Sequence, residues 1–100
     1  MFVGYSQLSG TAWGLVQVED TGGSPIAADN LPTFRVYGSD SATPKATGTC
    51  TAFDSGNLTG VYKFSFTVSG AFSRGLNYSV VVSWEVSLQS RQAVATLSIY

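Results

Sequence analysis

Few side chains in this sequence are suited to chemistry, and six of those are carboxylates: Glu19, Asp20, Asp29, Asp40, Asp54 and Glu85. Two carboxyl groups ~5 to ~9 Å apart across a cleft suffice for glycoside hydrolysis, so the count alone leaves acid–base chemistry open. Their placement argues against it. Asp20, Asp29, Asp40 and Asp54 fall in turn-like segments, where aspartate bonds its own neighbouring backbone. Glu85 falls on the polar face of an alternating stretch. Histidine is absent, which removes imidazole catalysis, Ser–His and Cys–His nucleophiles and the common zinc ligand sets. No titratable group stands beside a partner that would perturb it, so neither enzyme activity nor a cofactor is expected.

Metal and thiol chemistry fare no better. Asp54-Ser55-Gly56-Asn57 offers oxygen ligands but lacks the spaced carboxylates and closing Glu of a calcium loop. A hydrogen-bonded turn with Gly56 at positive φ is the expected reading, with no metal. Cys50 lies between threonines with no cation nearby in sequence, which suits a small apolar filler better than a reactive thiolate. As the sole cysteine it closes no intrachain disulfide, so this is not a stapled secreted scaffold.

Contact residues are the remaining class. Trp13, Tyr37 and Phe72 are aromatics less easily assigned to a core. Phe72, in the loop Ser69-Gly-Ala-Phe-Ser-Arg-Gly75, is either a contact anchor beside Arg74 or a lid folded over one end of the domain. The apolar residues Phe2, Val3 and Tyr5 in the first ten positions belong either to a first strand or to an arm that adds to a neighbour's sheet edge.

The elements that must carry these residues follow from strict two-residue alternation. Tyr78, Val80, Val82, Trp84, Val86 and Leu88 share one face of 77–88, with Ser79, Ser83, Glu85 and Ser87 on the other. Residues 60–69 alternate in the same way, with Tyr62, Phe64, Phe66 and Val68 together; so does 92–100, with Ala93, Ala95, Leu97 and Ile99. Shorter runs at 33–37, 13–18, 47–53 and 2–8 bring the count to about seven, with Gly-, Asp- and Ser-rich turn signals between them. No stretch repeats apolar residues at helical spacing. The pattern predicts an all-β chain, an antiparallel β-sandwich forming one domain over 1–100.

Composition narrows the setting. Charged residues make up 11% of 100 residues and the net charge is −1, against about 25% charged in ordinary domains. A basic footprint for nucleic acid is missing. The longest aliphatic run, Val80-Val81-Val82, is far short of the ~20 apolar residues of a spanning helix, so no membrane partner is expected. The N-terminus does not read as a signal peptide, which points to a domain made in the cytoplasm. Its polar surface is mostly Ser, Thr, Gly and Asn, and near-neutral surfaces of this kind associate readily.

Two resemblances attach to specific residues. The stretch Phe53-Asp-Ser-Gly-Asn-Leu-Thr-Gly-Val-Tyr-Lys-Phe-Ser-Phe66, followed by Gly75-Leu-Asn-Tyr-Ser-Val-Val-Val82, resembles the closing half of bacterial and viral immunoglobulin-like domains. That likeness implies a seven-stranded sandwich in which Tyr78 is the corner tyrosine. The order Gly14-Leu-Val-Gln-Val18, the Gly-Gly-Ser-Pro turn at 22–25 and Asn30-Leu-Pro-Thr-Phe-Arg-Val-Tyr37 resembles small tailed-bacteriophage virion proteins, among them capsid decoration or cement proteins. It implies a place on the outer capsid surface, the major capsid protein as partner, and a homo-oligomer, a trimer by preference, matched to a lattice axis. Several weak contacts engaged together would then reinforce the shell. A carbohydrate-binding or adhesin-like module of a phage tail or fibre, stacking sugars on Trp13, Tyr37 and Phe72, is the alternative.

Overall fold

The computed structural model describes residues 2–6, 10–39, 42–70, 72–73 and 75–99; for residues 2–6 the description covers the backbone. Eight strands follow one another: β1 (Phe2–Ser6), β2 (Thr11–Gln17), β3 (Thr33–Gly38), β4 (Ala46–Thr49), β5 (Thr51–Asp54), β6 (Leu58–Thr67), β7 (Asn77–Val86) and β8 (Gln89–Ile99). They form a five-stranded sheet in the order β1-β8-β7-β3-β4 and a three-stranded sheet in the order β2-β6-β5. The two sheets pack as a β-sandwich.

Most pairs are antiparallel, as expected, but β1 runs parallel to β8 with an irregularity between Phe2 and Gly4. The chain's own sheet therefore takes the N-terminal segment as an edge strand. The run expected at 47–53 divides into β4 and β5, which lie in different sheets. The division falls at Cys50, fully buried, whose N–H donates to the Pro32 carbonyl at 2.8 Å and not to a strand ladder. Taken as one segment bent at Cys50, β4 and β5 reduce the count to seven.

Alternation held the core residues to one side. Phe34, Phe64 and Phe66 meet between the sheets, with Phe34–Phe64 and Phe34–Phe66 ring centroids at 6.0 and 5.9 Å. Each of two glycines makes room for a ring. Gly14 on β2 pairs across from Phe64, and Gly48 on β4 pairs across from Phe34. A Cβ on Gly14 would stand 2.6 Å from the Phe64 ring, and one on Gly48 2.7 Å from the Phe34 ring. At the far end Phe72 stacks on Phe66 at 5.8 Å and meets Tyr78 edge-on at 4.7 Å. The Tyr78 hydroxyl accepts the Ser73 N–H at 2.7 Å, which fixes this loop over the core.

Three local expectations need correction. Leu88, placed on the core face by alternation, stands at a hairpin tip and is 88% exposed, because the strand ends at Val86 and a two-residue turn intervenes. Trp84 is only half-buried against the core. Gly56 is not at positive φ; among the described residues the left-handed glycines are Gly23, Gly60 and Gly75.

Burial pushes the Cys50 thiol up to about 11, because a thiolate there would be stripped of water. The native protein is therefore expected to resist iodoacetamide at neutral pH, while the urea-unfolded chain is alkylated at Cys50. Intact mass before and after unfolding checks this. Native-state labelling at the unfolded rate would contradict the burial.

Candidate interaction face

On β2 the inward residues are Ala12, Gly14 and Val16, and the outward ones are Thr11, Trp13, Leu15 and Gln17. Leu15 lies across from Lys63, Trp13 from Ser65 and Gln17 from Val61. On the other side of β6, Thr51 lies across from Lys63 and shares its outer face, whereas Phe53 falls at the register slip between Ala52 and Asp54. Exposure is 52% at Trp13, 36% at Leu15 and 46% at Phe53. The outer surface of the three-stranded sheet thus carries an apolar stripe of Trp13, Leu15 and Val61, with Phe53 exposed on the edge strand beside β6. Lys63 is its single charge among the outward residues of these strands, and its Nζ sits 4.9 Å from the Trp13 ring centroid. Exposed apolar groups rimmed by hydroxyls and amides mark contact surfaces. The arrangement can exclude water against a complementary face.

The three expected interface residues whose side chains are described do not come together. Trp13 is on this face, whereas Tyr37 lies half-buried on the five-stranded sheet with the Arg35 guanidinium 5.9 Å from its ring. Phe72 is 3% exposed and closes the core, so of its two readings the lid is correct and the anchor is not. Arg74 lies outside the described residues, as do the side chains of Phe2, Val3 and Tyr5; the backbone of all three belongs to β1. No aromatic platform is built from Trp13, Tyr37 and Phe72 together.

Leu15 and Phe53 escaped the sequence reading. In Ala12-Trp13-Gly14-Leu15-Val16 both faces hold apolar residues, so alternation alone does not say which is inside. The available signal is size: the small pair Ala12 and Gly14 fits beneath a ring, and the bulky pair Trp13 and Leu15 does not.

Two of the carboxylates form local turns, and Asp40 lies outside the described residues. Asp20 accepts the Gly22 and Ser24 N–H groups at 2.9 and 3.0 Å. Both Asp54 oxygens accept from the Asn57 side-chain amide, at 3.2 and 3.1 Å. Among the described residues no cluster of three or more His, Cys, Asp or Glu side chains could hold a metal. Asp29 differs from the expectation of a local turn. Its carboxylate reaches 58 and 59 residues along the chain to accept the Ser87 and Leu88 N–H groups at 3.1 and 2.8 Å. Those residues have φ of 52° and 65°, the primed-turn geometry that Asn-Gly adopts without strain. Ser and Leu resist it, and the carboxylate holds them there. Asp29→Ala is expected to cost about 1.5–3 kcal/mol for the lost charge-assisted bonds. Urea unfolding measures the loss, and an unchanged midpoint would show that the turn holds without the clamp.

No protein-family model, curated protein or solved structure matches the chain.

Proposed function

We propose that this chain is a non-enzymatic structural module: an immunoglobulin-like decoration protein that binds the outer shell of a tailed phage and reinforces it by bridging capsid subunits. The stripe Trp13, Leu15 and Val61, with Phe53 exposed on the neighbouring edge strand, carries the reading, because an apolar face with Lys63 as its one cation docks on protein with few ions to desolvate. The immunoglobulin-like assignment draws support from strand order. β2, β6 and β5 stand in the places of strands B, E and D, and β3, β7 and β8 in those of C, F and G. Tyr78, near the start of β7, bonds back to Ser73 as a corner tyrosine does. The shell position rests on the resemblance to tailed-phage virion proteins. Its partner is then the major capsid protein, and a trimer fits a lattice axis.

Sedimentation with expanded, undecorated tailed-phage shells tests the reading. Wild-type protein is expected to pellet with shells. Trp13→Ser combined with Phe53→Ser should lower the bound fraction at least ~10-fold, since two exposed apolar anchors are lost. Val94→Ser, an exposed site on the other sheet, should bind normally. Wild-type protein left in the supernatant refutes shell binding, and undiminished binding by the double variant refutes this face.

A further inference from the structure

The outer surface of the five-stranded sheet has a different character. The register aligns Thr33 with Ser83 and Ser83 with Gln92, while Glu85 pairs with Ser90 one step further along. These residues and Arg35 line a groove of about 400 Å³, walled at one end by Asn30 and Leu31. Ser83 lies at the centre of that row, and its hydroxyl is shut off from solvent without a hydrogen-bond partner. An unpartnered buried hydroxyl is costly.

The groove's polar groups are also largely unspent. The Glu85 carboxylate makes no hydrogen bond or ion pair with a described residue, although Arg35 and Arg91 line the same groove. Its backbone carbonyl is the part in use, accepting the Asp29 N–H at 2.8 Å.

We propose that this groove is a binding site for a neutral saccharide. The chemistry narrows the class. Glu85 can accept from hydroxyl groups, and Arg35 and Arg91 share the lining with it, so inorganic phosphate is the competing ligand that the test must separate. One carboxylate is too few for a hard cation. The density of hydroxyl and amide groups is wasted on an apolar ligand. A vicinal diol both donates and accepts: it donates to the Glu85 carboxylate, accepts from Arg35 and from the amides of Asn30 and Gln92, and exchanges bonds with Thr33 and Ser90. Leu31, 53% exposed, offers an apolar wall for the C–H face of a ring. The volume falls within the range of small-ligand sites, roughly 300–1,000 Å³. The site lies on the sheet opposite the Trp13 stripe, so it stands whether or not that stripe docks on a shell.

Titration of ¹⁵N-labelled protein with glucose, galactose, N-acetylglucosamine and their disaccharides, up to the solubility limit of each, tests the site. Amide shifts are expected at Thr33, Arg35, Ser83, Glu85 and Gln92 for at least one sugar. Glu85→Ala should weaken that binding about tenfold or more, as loss of a charged hydrogen-bond acceptor does. Gln92→Ala should weaken it as well, and both variants keep the remaining spectrum because their side chains are exposed. Silence with every sugar overturns the proposal. So do shifts confined to the Trp13 face, binding unaffected by Glu85→Ala, and a groove response to inorganic phosphate or an acidic peptide in place of sugar.

Discussion

Gly60→Ala is expected to lower the unfolding free energy by about 2–5 kcal/mol, the sum of left-handed strain and forced displacement of packed backbone. Gly60 has φ of 82° and lies where β6 slips in register against β5, between the Ala52–Tyr62 and Asp54–Leu58 pairs. A Cβ there would stand 2.7 Å from the Ile26 carbonyl oxygen, 2.8 Å from that of Val18 and 3.0 Å from the Ile26 nitrogen. All three atoms are backbone and have no rotamer to escape into. They also carry bonds: the Gly60 carbonyl accepts the Val18 N–H at 2.7 Å, and the Val18 carbonyl accepts the Ile26 N–H at 3.0 Å. Gly75→Ala is the matched control, with φ of 82° and nothing within 4 Å of the added carbon. It should cost only the backbone strain, about 1–2 kcal/mol. Urea midpoints of the two variants separate the components, and equal losses would mean that the close approach to Ile26 and Val18 contributes nothing.

Phe64→Ala is expected to cost about 3–5 kcal/mol, through lost apolar burial and the cavity left behind. Phe64 is 2% exposed, touches Phe34 and Phe66 across 6.0 and 6.5 Å between centroids, and covers Gly14. Gly14 has no side chain with which to refill the space. Against the roughly 5–15 kcal/mol that holds a typical domain together, this loss is a large share. Thermal and urea unfolding should both register it. Phe64→Leu, which keeps most of the volume, should recover more than half the loss; a variant as stable as wild type would show that the ring is not packed as described.

The long strands were legible because their alternation had one apolar face and one polar face. Tyr62, Phe64 and Phe66 on β6, and Tyr78, Val80 and Val82 on β7, all point inward as the pattern requires. Such a segment has a single favourable orientation, since turning it over would expose every large side chain. Turn residues were legible for a similar reason: Asp20 and Asp54 do their work within four residues of themselves. The candidate interaction face was not legible. Trp13 alone was singled out; Leu15 joined it only once pairing with β6 showed which side of β2 was outside, and Phe53 through its exposure on the edge strand.

From composition and alternation alone came an all-β chain with a low-charge surface and aromatic inner faces, because burial of bulky side chains is a property each segment carries by itself. Assembly decided the rest. Cys50 became the point where the chain changes sheets, Asp29 clamped a turn 58 residues away, Phe72 closed the core, and Thr33, Ser83 and Gln92 met in one row. Each of these depends on which strands lie side by side, and that is set by the summed packing of the whole core, so no local stretch of residues contains it.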